Sequence, residues 1–288
     1  MRPDPIGRLR TYASFVRFGH SVFALPFALT GALLASRHAP LTAGRVLWII
    51  AAMVAARSAA MGFNRLVDAR YDALNPRTAN RELPRGRMTT REAAAFVVVS
   101  AAAFVLTAYQ LGWICFVLSP LALAIVFWYS LAKRYTAYTQ LFLGLAMAVA
   151  PVGGWLAAGG RGGWEPWLLA IAIGFWVGGF DVLYACQDLD HDVRHGLRSI
   201  PVKFGVGNAL RISRLMHVVA VVALAALAFV VPLGPIYAAG VATVTVLLIY
   251  EQSLVSEHDL SQIKKAFDMN GYVGILYFLA TAAALYVG

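Results

Sequence analysis

The 288-residue chain is 60% hydrophobic and only 13% charged, against about 45–50% and 25% in an ordinary soluble domain, which excludes a single water-soluble core. Its formal charge of +10 comes with too little polar surface for the solvated basic face of a nucleic-acid binder, and fits positive loops at a membrane surface instead. Cys115 and Cys186 lie in apolar surroundings with no second Cys or His at zinc-ligand spacing, which argues against both a metal site and a disulfide framework.

Arg2, Arg8, Arg10 and Arg17 precede an apolar run in the manner of a signal peptide, but no clean small-residue cleavage site follows, so the run reads as a retained first helix. Stretches long enough for a helix of about 20 residues to cross a bilayer centre on residues 14–36, 45–67, 92–110, 112–131 and 138–159. Four more follow at 164–186, 209–231, 235–255 and 268–287. Tyr109-Gln110-Leu111-Gly112 and Pro232-Leu233-Gly234-Pro235 are the expected tight turns of two helical hairpins. The predicted fold is all-α: a polytopic membrane bundle of nine transmembrane helices forming one domain over residues 1–288.

Alternate connections differ sharply in basic charge. Of the 24 Lys and Arg residues, twenty gather on one side, in the N-terminal segment and the second, fourth, sixth and eighth loops. The other side holds only Arg37, Arg45 and Arg161, and Arg57 falls inside the second span. This asymmetry predicts a cytoplasmic N-terminus and an outside C-terminus, in a bacterial plasma membrane.

The second span runs into GFNRLVDARYD, where Asn64, Asp68 and Asp72 recur every four residues and so stack along one helix face with a drift of about 40° per step. The sixth runs into FDVLYACQDLDHD, where Tyr184, Asp188 and Asp192 repeat that spacing. Four spans separate the two helices, so both acidic ends reach the cytoplasmic face, and Arg77-Thr78 and Arg198-Ser199 follow them like traces of an internal repeat. Carboxylates stacked in this way repel by a few tenths of a kcal/mol and call for a cationic partner. Mg²⁺ suits them, because it binds one or two carboxylates together with the phosphate oxygens of a substrate. A single such cluster reads equally well as a solvated helix end; two matched clusters on one side of an acid-poor chain do not. Arg57 lies two turns deeper than Asn64 on its stripe, and Asp181 two turns deeper than Asp188. Intramembrane charges of this kind mark a site or form a buried ion pair with each other.

At these residues the chain resembles the UbiA superfamily of membrane prenyltransferases, whose signatures are NDxxDxxxD and a DxxxD pair on a later helix. Here they read Asn64 to Asp72 and Asp188-Leu189-Asp190-His191-Asp192. NPRTANRELPRG, YSLAKRYT and GLRSIPVKFG match further family stretches in order and spacing. Arg65 stands where the first signature has Asp, which leaves open how many carboxylates surround the first metal. The segment RFGHSVFALPFALTG looks less like the commonest 4-hydroxybenzoate enzymes than like related quinone-pathway members, some of which act on dihydroxynaphthoates.

The resemblance implies transfer of a polyprenyl group from polyprenyl diphosphate to a ring carbon of an aromatic acceptor, 4-hydroxybenzoate or a dihydroxynaphthoate, in ubiquinone or menaquinone synthesis. It implies Mg²⁺ held by Asp68, Asp72, Asp188 and Asp192 with Asn64, and diphosphate oxygens clamped by Lys133, Arg134, Arg77 and Arg198. Tyr184 or Asp181 would orient the phenol or take a proton, and Arg57 joins the substrate-binding set. Two other classes stay open: a multi-span transporter, which has no need of paired Asp triplets, and a CDP-alcohol phosphotransferase, whose pattern requires a DG and AR element, where Asp68-Ala69-Arg70 offers no such Gly.

Overall fold

The structure, a computed structural model, describes residues 5–16 and 24–287. Its helices are α1 (Pro5–Phe15), α2 (Leu25–Ala35), α3 (Ala43–Leu74), α4 (Thr90–Leu111), α5 (Trp113–Ala132), α6 (Thr139–Ala157) and α7 (Glu165–Ala185). A 3₁₀ turn, Cys186–Asp188, leads into α8 (Leu189–Arg194), followed by α9 (Ile200–Val230), α10 (Gly234–Ser253) and α11 (Ile263–Tyr286). Among the described residues, eight helices are long and apolar enough to cross a membrane, with α7 and α8 counted as one; α2 is apolar but shorter. The predicted first span straddles residues 17–23, which with Arg2, Arg17 and the side chain of Arg10 lie outside the described residues.

Local chemistry sets the helix ends. Thr89 accepts from the Glu92 backbone N–H while Glu92 accepts from the Thr89 N–H, a reciprocal cap at the start of α4. Ser199 caps α9 from its side chain, and Pro201 occupies the first turn, where no N–H is needed. Gly205 then breaks α9 with φ of 77°, a conformation that costs a residue with a side chain far more than it costs glycine. The predicted start at residue 209 therefore belongs to the apolar part of a helix that begins at Ile200.

Packing places α7 at the centre of the bundle, chiefly against α6 and α9, while α2 lies on α6 and α11, and α3 pairs with α4 and α5. Lipid-like surroundings offer little hydrophobic drive between helices, so close backbone approach does the work. A methyl group at Gly144 of α6 would overlap the carbonyl oxygen of Gly174 in α7, and one at Gly154 would overlap that of Ala28 in α2. The core gathers Phe27, Trp155, Trp176, Ile173, Leu227 and Tyr277.

Three helical stretches outrun the hydrocarbon. α3 has 32 residues, α9, kinked at Gly205, has 31 and the α7–α8 unit 30, about 45–48 Å of helix against a hydrocarbon layer of about 30 Å. The last turns of α3 and of the α7–α8 unit, which carry the two acidic motifs, therefore have length to project beyond the apolar layer.

Candidate active site

Asp68, Asp72, Asp181, Tyr184, Asp188 and Asp192 line one polar cavity of about 250 Å³, together with Asn64, Asn75, Arg77, Lys133 and Arg198. The two Asp motifs, 120 residues apart in the chain, thus face each other. Asp68 is 3% exposed. Its carboxylate is met by Lys133 Nζ at 2.7 Å, by Arg134 Nη2 at 3.2 Å and by Asn64 Nδ2 at 3.3 Å. Asp72, also buried, receives both oxygens' contacts from Arg81 Nη1 at 2.7 Å. Asp188 is held in a fork by Arg77, Nη2 to Oδ2 at 2.6 Å and Nε to Oδ1 at 3.2 Å, while Asn75 Nδ2 donates to Oδ1 at 3.4 Å. Arg77 also donates to the Tyr184 hydroxyl at 3.3 Å and lies over that ring. Burial works against the Arg77 charge, but Asp188 and then Tyr184 outweigh it and hold its pKa above the ordinary guanidinium value.

The basic residues expected on a phosphate therefore rest on carboxylates. Arg198 differs: it is exposed and donates to the Tyr135 carbonyl at 2.7 Å, while its own backbone N–H bonds to the Lys133 carbonyl at 2.8 Å. It thereby ties the α5–α6 loop to the segment after α8. Arg81 and Asn75 carry no weight in the sequence reading, yet they complete the loop's grip on Asp72 and Asp188; Arg81 sits four residues beyond Arg77 in NPRTANRE. Of the two readings of Arg57 and Asp181, the ion pair is not among the ion pairs of the described residues. Arg57 lines a second, apolar cavity and Asp181 the polar one.

That second cavity, about 420 Å³, is walled by Ile49, Met53, Phe104, Leu118, Ile125 and Trp167 among others, and Arg57 is the one charged side chain among the described residues lining it. Tyr129 and Leu143 border both cavities, so the polar and apolar chambers meet at these side chains.

The donor set suits Mg²⁺. Five carboxylates and three carboxamides line the cavity beside one imidazole, His191, so hard oxygen ligands dominate, and among the described residues no three acidic or imidazole or thiol groups stand close enough to form a ready-made cage. Mg²⁺ keeps water or substrate phosphate in its shell and asks only one or two carboxylates of the protein, so an open pair of Asp clusters fits it better than a closed one.

A profile of the UbiA prenyltransferase family matches residues 24–281. The chain belongs to that family. It is 35% identical to the 4-hydroxybenzoate octaprenyltransferase of Citrobacter koseri over 246 residues, 84% of each chain. The structure of a UbiA homolog from Aeropyrum pernix superposes with a TM-score of 0.84 at 36% identity, covering 91% of this chain and 96% of that one. A UbiA homolog from Archaeoglobus fulgidus, solved bound to GPP and Mg²⁺, shares the fold with a TM-score of 0.72 at 19% identity, over 95% and 99% of the two chains. The protein is thus an integral membrane prenyltransferase with multiple spans, as its two signatures and its hydropathy imply.

Proposed function

We propose that this prenyltransferase joins a polyprenyl group to a ring carbon of a hydroxylated aromatic carboxylic acid, with the whole chain acting as one domain. The meeting of a polar, Asp-lined cavity with an apolar one at Tyr129 and Leu143 carries the reading, because a polyprenyl diphosphate is a molecule with these two ends. The diphosphate lies in the polar cavity and the isoprenoid chain in the apolar one. Asp68, Asp72, Asp188 and Asp192, with Asn64, hold the metal; Mg²⁺ there neutralises the diphosphate and stabilises charge on the leaving group. Lys133, Arg134, Arg77 and Arg81 turn from carboxylate to phosphate oxygens as the donor enters, and Arg198 braces the loop that carries Lys133.

The bond between the prenyl C1 and the diphosphate oxygen breaks with its electron pair leaving on the diphosphate. The acceptor ring, made electron-rich by its hydroxyl, forms the new carbon–carbon bond to C1. The ring proton then leaves to Asp181, two helical turns below Asp188 on the same wall, while Tyr184 orients the phenol. Helix walls keep water from the allylic cation. Arg57, the one charged side chain among the described residues lining the apolar cavity, pairs with the acceptor carboxylate.

The 4-hydroxybenzoate reading is supported by the activity for which relatives such as the Citrobacter koseri protein are named. The dihydroxynaphthoate reading is supported by the segment Arg17 to Gly31. Both acceptors carry a carboxylate and a ring hydroxyl. Positive charge on the loops that bear both Asp motifs supports a cytoplasmic face for the site, with the N-terminus on the same side and the C-terminus outside.

Membranes containing the protein, given radiolabelled polyprenyl diphosphate and each acid in turn, should form a prenylated product that Mg²⁺ chelation abolishes. Arg57→Ala should raise the acceptor KM while sparing the donor KM. Absence of product with every carboxylated hydroxyarene, or an unchanged acceptor KM in Arg57→Ala, overturns this reading.

A further inference from the structure

Arg65 is the chain's one departure from the first family signature, and the structure gives it a partner. Its Nη1 donates to Glu82 Oε2 at 3.1 Å, with both side chains under 10% exposed. The other Glu82 oxygen accepts from Ser14 Oγ of α1 at 2.6 Å. One buried carboxylate thus joins three parts of the molecule: α3, the segment 75–88 and the N-terminal helix. The same three parts also share an apolar cluster, with Leu66 and Leu83 packed against Phe15, Val16 and Met88.

The position of Glu82 matters more than its burial. Arg65 and Asp72 are seven residues apart on α3, which puts them within about 20° of one face and about 10 Å along the axis. The consecutive loop residues Arg81 and Glu82 reach these two positions, Arg81 to Asp72 and Glu82 to Arg65. The two ion pairs have opposite polarity along α3. A shift of the loop by one residue would set Glu82 against Asp72, so the pairs together fix the register in which 75–88 lies on the helix. Asn75 and Arg77, on the same segment, reach the opposite Asp motif at Asp188. At the far end, the reciprocal cap of Thr89 and Glu92 fixes the segment's exit. With Asp in place of Arg65, as the family signature has it, Glu82 would face a like charge in a buried site.

We propose that Arg65 is a positioning residue for prenyl transfer: through Glu82 it sets the register of residues 75–88, and so the placement of Arg77 and Arg81 over the diphosphate site. Arg65 does not touch the donor; its effect passes through the loop arginines. This inference rests on the donor site proposed above.

Two variants test it, Glu82→Gln and Arg65→Lys, the second keeping the charge should the first fail to insert. Each is expected to raise the donor KM by about tenfold, the equivalent of about 1.4 kcal/mol, and to leave the acceptor KM within about twofold. In the same proteins, trypsin should cut faster after the exposed Arg85 and Arg87, while cleavage elsewhere keeps its rate. The double exchange Arg65→Glu with Glu82→Arg should recover donor KM relative to either single exchange. A donor KM unchanged in folded variants, or activity that falls only with the amount of folded protein, overturns the proposal. Asp188→Asn, run alongside, separates the two levels: if it stays active the donor site itself is misassigned, and if it is dead while Glu82→Gln is normal, only the positioning role fails.

Discussion

Asp68→Asn should separate catalysis from stability, because the carboxylate is buried and its partners are not. The Asp68 side chain is 4% exposed, whereas Lys133 and Arg134 are 28% and 27% exposed. Two charge-assisted hydrogen bonds at about 1.5–3 kcal/mol each set an upper bound of about 3–6 kcal/mol on the loss. Both cations can turn to water once the carboxylate is gone, and the replacing amide still accepts a bond, so about 1–3 kcal/mol is expected. That corresponds to a fall of about 2–12 °C in Tm for a chain of this size. Catalysis should lose far more. Removing one preorganised electrostatic partner of a developing charge typically costs about 10²–10³ in rate, and the proposed metal ligand Asp68 also meets Lys133 at 2.7 Å. Thermal unfolding in detergent, read beside prenyl transfer in membranes with saturating donor, gives both quantities on one sample. Activity within tenfold of wild type would refute the assignment of Asp68 to the metal. A Tm drop well beyond 12 °C would instead make Asp68 a structural anchor for Lys133 and Arg134.

Gly144→Leu should destabilise by at least about 1–3 kcal/mol, since even a methyl group there overlaps the Gly174 carbonyl and overpacked cores lose this much; the melting temperature in detergent checks it, and an unshifted value removes the close crossing of α6 and α7. A reporter joined after Gly288 should report the outside face, and one inserted at exposed Gly86 the cytoplasmic face; both on one side contradicts an odd number of crossings.

The membrane bundle was legible because apolar runs of about 20 residues have few other uses, and the runs at 92–110 and 112–131 became α4 and α5 with little change. Where the ends moved, polar residues were continuing helices that hydropathy had closed. α3 runs on to Leu74 because Asp68 and Asp72 find Lys133, Arg134 and Arg81 there, so charge does not end the helix. α9 starts nine residues earlier than its apolar run, because the Ser199 cap and Pro201 favour a helical turn with little hydrophobicity to announce it.

The site was legible in its acidic half and hidden in its basic half, for a physical reason. Asn64, Asp68 and Asp72 share a helix face by spacing alone, and spacing is visible in a sequence. Arg77 reaches Asp188 across 111 residues, and Lys133 reaches Asp68 across 65, pairings that only the packing of four helices decides. A carboxylate charge removed from water is costly without a partner close at hand. Arg77, Arg81, Lys133 and Arg134 meet that need at Asp188, Asp72 and Asp68. Three of the motif carboxylates, Asp68, Asp72 and Asp188, are thus met by cations from neighbouring loops. Arg65 and Glu82 extend the same rule one layer outward, where a charge that departs from the signature is balanced by the residue that holds the loop in register.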